Sequence, residues 1–154
     1  MSGPRRARAL ARDTGWMPEA VPARFPSPDP GERCPCLSGL TFGECCRRHL
    51  TGASPAPTAV QLMRSRYTAF ATGDADYLLA TWHPSTRPTG LELDPSIRWY
   101  RLDVLRAERG GPLDRDGIVE FAAFYRHEGE RGEQHEVSRF ERTHEGWRYV
   151  DAVA

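Results

Sequence analysis

All four cysteines of the chain fall within thirteen residues, as two close pairs: Cys34-Pro35-Cys36 and, eight residues later, Cys45-Cys46. A disulfide between Cys34 and Cys36 would close a strained three-residue loop, and one between adjacent Cys45 and Cys46 would be worse. Four thiolates can instead converge on one tetrahedral Zn²⁺ at about 2.3 Å, and eight residues suffice to turn the chain back between the pairs. Metal binding is therefore the leading reading. Redox-active or cross-paired thiols, and plain buried cysteines, are the competing ones. Four thiolates fill the coordination shell and leave no position for a catalytic water, so the expected zinc is structural. His49 is a candidate to replace one of the sulfurs.

The residues around the cysteines suit a closed knuckle. Ser38-Gly39 reads as a turn whose backbone N–H groups can point at sulfur. Gly43-Glu44 leads into a short helix-prone run, Cys45 to Leu50, stopped near Gly52. Arg33, Arg47 and Arg48 flank the site and offset its negative charge. Phe42, Arg47 and Arg48 are expected to be exposed and to form the face on which a protein partner docks.

A chain of 154 residues with zero formal net charge accommodates one domain plus appendages and has no global field to recruit nucleic acid or anionic lipid. No apolar run approaches the length of a membrane span and no secretory segment is visible, so a reducing cytoplasmic location is expected. All 21 basic residues are arginine, and asparagine is absent. That is the mark of a GC-rich coding sequence, which makes arginine counting a poor guide to function.

Four segments follow. Residues 1–32 combine Arg5, Arg6, Arg8 and Arg12 with a proline-spaced stretch and are expected to form a disordered arm, with Trp16 and Phe25 able to tack part of it down. Residues 33–52 are the knuckle and 53–57 a stiff Pro-spaced linker. Residues 58–154 form an α+β domain. Thr58 with Gln61 makes a capping box. Val60, Met63, Tyr67 and Phe70 then stripe a helix that Gly73 ends, and Asp74 caps a shorter second helix. Arg64 and Arg66 fall on opposite sides of the first helix. Strand-like stretches follow at Trp99 to Glu108, Gly117 to Arg126, Gln134 to Arg142 and Trp147 to Asp151. The first alternates Tyr100, Leu102 and Val104 against Arg101 and Asp103. Short turns between them imply an antiparallel meander, with helices on one face of a curved sheet.

Three stretches carry a resemblance: Leu62 to Phe70, Gly73 to Leu78, and Thr81-Trp82-His83-Pro84-Ser85-Thr86-Arg87-Pro88. They are similar to the bacterial YchJ-like family, as are His135 to Phe140 and Gly146 to Asp151. The resemblance implies a SEC-C zinc motif, carried by Cys34, Cys36, Cys45 and Cys46, ahead of a nuclear-transport-factor-2-like cone. It supplies no settled activity. Leu37 stands where that family usually has Gly after the second cysteine; if the position needs φ > 0, the knuckle is strained there.

The cone implied by the resemblance can enclose a pocket, for which the candidates are Arg64, Tyr67, Trp82, His83, Trp99 and His135. Strand alternation puts His135 and Arg139 on one face and Glu136 and Ser138 on the other, so a His135–Glu136 acid–base pair is not expected. Tyr67 and Tyr77 also read as core, and His83 as a hydrogen-bonded helix end. No catalytic constellation stands out. The leading functional expectation is a protein-binding module with a structural zinc. The alternative is a small-molecule-binding protein or a hydrolase/isomerase-type enzyme using the cone. Nucleic-acid binding ranks lowest, and a homodimer through the outer sheet face is a further possibility. Removal of the metal is expected to unfold the knuckle and spare the rest.

Overall fold

The computed structural model describes residues 23–154. Of the arm expected over residues 1–32, residues 1–22, Trp16 among them, lie outside the described residues. Residues 23–32 run along the domain: Phe25 packs over Gly73, and Pro30 O accepts the Gly43 amide.

Three helices precede the sheet: α1 (Arg47–Leu50), α2 (Ala59–Thr72) and α3 (Ala75–Ala80). The Thr58 hydroxyl accepts the Gln61 amide at the start of α2, and Gly73 ends it at φ 81. Asp74 then caps α3 by accepting from the Tyr77 amide at 3.0 Å. A one-residue αL joint between two capped helices folds α3 back along α2. The Ser65 and Tyr77 hydroxyls meet there at 2.6 Å.

The sheet is a four-stranded antiparallel meander: β1 (Arg98–Arg109), β2 (Asp116–His127), β3 (Glu130–Thr143) and β4 (Gly146–Ala152), in that spatial order. Its inner face carries Trp99, Leu102, Val119, Phe121, Ala123 and Phe140 beneath α2. Two details differ from the sequence expectation. In β1 the register passes from Trp99↔Tyr125 to Arg101↔Phe124, leaving Tyr100 unpaired in a bulge. The extra residue shifts the phase of alternation, so Trp99 faces inward and Tyr100 outward, where it packs on Phe124. In β3 the strand starts at Glu130, because Glu128 (φ 53) and Gly129 (φ 81) make a two-residue hairpin turn.

The knuckle is not a separate core. Cys34, Cys36, Phe42 and Cys46 belong to the same buried cluster as Leu62, Met63, Tyr67 and Phe140. The linker is likewise anchored, since Trp147 Nε1 donates to Pro57 O at 3.1 Å. The expectation that the helix-and-sheet core is independent of the thiols is therefore corrected: the knuckle covers one side of α2. Among the described residues no helix is long and apolar enough to cross a membrane.

Candidate functional site

Cys34 and Cys36 lie on the first arm of a small hairpin. Arg33 bridges Thr41, the Cys34 amide donates to Leu40 O at 2.9 Å, and the Phe42 amide to Glu32 O at 2.7 Å. The tip turns where the Leu37 amide reaches Cys34 O at 3.0 Å, with Leu37 at φ 62 and Gly39 at φ 96. Leu37 thus occupies the left-handed region expected of a glycine. Cys46 is the N-cap of α1, with Cys45 just before it.

The four sulfurs lie within 4.8 Å of one another. The Cys36–Cys45 pair is 3.6 Å apart and Cys45–Cys46 3.9 Å. A tetrahedron with bonds of about 2.3 Å has edges of about 3.8 Å, so these separations suit a shared metal ion. They are far too long for S–S bonds of about 2.05 Å, and all four cysteines are free. Cys34, Cys36 and Cys46 are 1%, 0% and 1% exposed. Contacts with Cys34 and Cys46 hold the Cys36 thiol far below its ordinary value. Contact with Cys36 pushes Cys34 up to about 11, and contacts with Cys34 and Cys36 push Cys46 up as well. Among Cys34, Cys36 and Cys46 one thiolate is favoured and the other two are resisted, a cost that a cation among the sulfurs would offset.

Helix α2 braces this cluster. Arg64 Nη1 donates to Cys36 O at 2.8 Å, and the Thr68 hydroxyl donates to Cys46 Sγ at 3.3 Å. Ser38 Oγ lies 3.1 Å from Cys45 Sγ. Arg64 and Thr68 as knuckle supports escaped the sequence reading. Their signal was two polar residues four apart, which shows a shared helix face but not what it meets. His49 does not join the sulfurs: it is buried with Nδ1 2.7 Å from Ser54 O. Phe42 is 8% exposed, so its expected place on a docking face is corrected. A phenyl ring gains about 2–3 kcal/mol by burial, and here it goes under the knuckle. Arg47 and Arg48 are exposed, as are Leu37 and Leu40 on the same module.

A cavity of about 200 Å³ lies between α2 and the inner sheet face. Tyr67, Trp82 and Trp99 line it as expected, whereas Arg64, His83 and His135 do not. Arg64 turns to the knuckle. His83 lies at the end of the α3 segment, where its ring accepts from the Ser85 amide and sits 3.3 Å from Glu141. His135 is on the outer face, 2.7 Å from Glu120, which also takes Arg106. The pleat instead turns Gln134, Glu136 and Ser138 inward, the parity opposite to His135.

The polar groups of the cavity centre on Glu136 and on Arg66, and Arg66 was not among the expected residues. The Glu136 carboxylate accepts from Gln134, Ser138 (2.6 Å) and the Tyr149 hydroxyl (3.0 Å). Arg66 is 6% exposed and donates through Nη1 alone, to Leu78 O and Thr81 Oγ1, both at 2.8 Å. Its guanidinium carbon lies 5.0 Å from the Trp82 ring centroid and 4.7 Å from that of Tyr149. Burial pulls Arg66 down to about 10 and pushes the Tyr67 and Tyr149 phenols upward.

A helix-backed antiparallel meander with a four-cysteine knuckle laid on its principal helix defines the class of protein. The family model described as the middle NTF2-like domain of YchJ matches residues 58–152, and the SEC-C motif matches residues 32–48. The chain belongs to the YchJ family. It is 53% identical over 119 residues to a UPF0225 protein of Corynebacterium glutamicum, covering 77% of this chain and 94% of that one. With a UPF0225 protein of Streptomyces coelicolor it shares 48% over 122 residues, 79% and 95% of the respective chains. Among solved structures it is similar to a SEC-C motif containing protein from Rhodopseudomonas palustris (TM-score 0.68, 32% identity, 79% of this chain and 97% of that one). A second SEC-C motif containing protein, from Psychrobacter arcticus, gives a TM-score of 0.64 at 25% identity, over 78% and 81%.

Proposed function

We propose that the chain is a zinc-binding protein whose metal is structural, and that its knuckle serves as a binding module for a partner protein. The observation that carries the zinc reading is the sulfur cluster itself, four thiols at tetrahedral spacing with three of them buried. An all-sulfur set of this geometry favours Zn²⁺ or iron, and its closure leaves no site for a bound water. A reducing compartment such as the cytoplasm suits four unpaired thiols. Elemental analysis of the purified, reduced chain should find one zinc per molecule, falling sharply in Cys45→Ser. Metal-free protein, or iron as the metal, would overturn this assignment.

The partner reading rests on what the knuckle leaves outside. Leu37, Leu40, Arg47 and Arg48 are exposed on a module that buries Cys34, Cys36, Phe42 and Cys46. An Arg47→Glu/Arg48→Glu double variant should lose a protein captured by the wild type; identical binding profiles would discard this face.

A further inference from the structure

The inner cavity has donors without acceptors. Glu136 is already satisfied by three donors, so it asks nothing more of a ligand. Arg66 is the opposite case. Its Nε and Nη2 donate to no described group, and no carboxylate among the described residues lies within ion-pair distance. Two other lining residues have a buried polar atom with no partner, Tyr67 Oη and Trp82 Nε1. The Arg101 amide lies near the Tyr67 hydroxyl without reaching hydrogen-bond geometry. An unmade hydrogen bond on a buried group is costly, about 1–3 kcal/mol each, and natural cores rarely tolerate several together.

We infer that this cavity is a binding site for a small carboxylate with a single flat or branched apolar body. Three observations converge. The unmet groups are Arg66, Tyr67 Oη and Trp82 Nε1; Arg and Trp can only donate, so the ligand must bring acceptors. Arg66 presents a planar cation with two uncommitted nitrogens, the geometry that a carboxylate matches, and its stacking on Trp82 and Tyr149 holds that plane. The rest of the lining is mainly apolar, with Phe70, Trp99, Phe121 and Phe140 beside Met63 and Ala123, while Gln134 and Ser138 are engaged with Glu136. Size sets the class. Drug-sized ligands take about 300–1,000 Å³, so a cavity of about 200 Å³ takes one ring and excludes a nucleotide. With Glu136 also present, one carboxylate on Arg66 leaves the cavity at a net charge of −1, and every further anionic group adds to that excess, so a multiply charged anion is not accommodated. This site is separate from the knuckle and does not depend on which metal the sulfurs hold.

The test uses the full-length chain and three probes, benzoate, phenylacetate and the neutral analogue benzyl alcohol, followed by the Trp82 indole N–H resonance. A saturable shift is expected from at least one carboxylate with a Kd of about 1 mM or tighter, and binding of benzyl alcohol at least about tenfold weaker. Trp82→Phe keeps an aromatic ring, a smaller one, and loses the N–H. Followed by intrinsic fluorescence, it should weaken the carboxylate about two- to tenfold. Arg66→Lys keeps the charge and loses the planar fork, and should weaken it at least about tenfold. Should Arg66→Lys fail to fold, Trp82→Phe and Tyr67→Phe carry the test. No saturable shift with either carboxylate overturns the inference, as does equal binding of benzyl alcohol. Affinity unchanged in the folded variants does so too.

Discussion

Leu37 is held at φ 62 at the tip of the knuckle with its side chain half-exposed, so it is constrained by its backbone without contributing much packing. A β-carbon in the left-handed region costs about 1–2 kcal/mol, and glycine's extra freedom in the unfolded chain returns part of that. Leu37→Gly should therefore stabilise the protein by about 0.5–1 kcal/mol, read as a higher denaturant midpoint at unchanged slope. A lower midpoint would show that the leucine side chain is supporting the hairpin. Tyr67, Tyr77 and Tyr149 make a second prediction. Burial is the first cause of the upward displacement of each phenol from its ordinary value of 10.0. A phenol raised on folding contributes stability that is complete below pH 10 and is lost as pH rises through the folded value. The protein should weaken above pH 10, although Arg66, displaced downward by burial, acts in the opposite direction. The difference between wild type and Tyr67→Phe isolates one phenol: the variant should show the shallower loss of stability above pH 10, and parallel pH profiles would refute the assignment.

At the scale of elements, the joint between α2 and α3 was legible because its chemistry is local. A threonine cap, a glycine at φ 81 and an aspartate cap are each set by residues within four positions. What sits on the joint was less visible. A β-carbon at Gly73 would come within 2.4 Å of the Phe25 ring, in addition to its positive φ. Gly73→Ala should cost about 2 kcal/mol or more, measured by denaturant unfolding, and pairing it with Phe25→Ala should recover the part due to the ring. If the double variant loses the full sum of the two, the ring contact is not the cause. The strands show where pattern reading stops. β2 turns Val119, Phe121, Ala123 and Tyr125 inward, and its apolar alternation marks that face. The early half of β3 turns Gln134 and Glu136 to the cavity and sets Gly132 under the Tyr125 ring, so these replace apolar residues and the alternation signal disappears. In β1 a bulge exchanges the roles of Trp99 and Tyr100, a choice made by pairing with β2 and not by β1 alone.

For the whole molecule, the decisive feature is that knuckle, α2 and sheet share one buried cluster. Metal binding to small cysteine sites contributes on the order of 10 kcal/mol, and a metal held by the four sulfurs would pass that energy to α2 through Arg64, Thr68 and the burial of Phe42. Chelation should therefore lower the midpoint of the whole chain by about 10 °C or more in a single calorimetric transition, with far-UV ellipticity lost across the same range. Two separated transitions would restore an independent knuckle. The amino-acid sequence by itself determined the four-cysteine cluster, the capped helix pair and the meander, because each depends on spacing or alternation over a few residues. Tertiary structure alone decided that Phe42 is interior, that Arg64 serves the knuckle while Arg66 serves the cavity, and that His135 faces solvent. Those outcomes depend on which surface lies opposite each side chain, and packing partners a dozen or more residues away leave no local periodic mark.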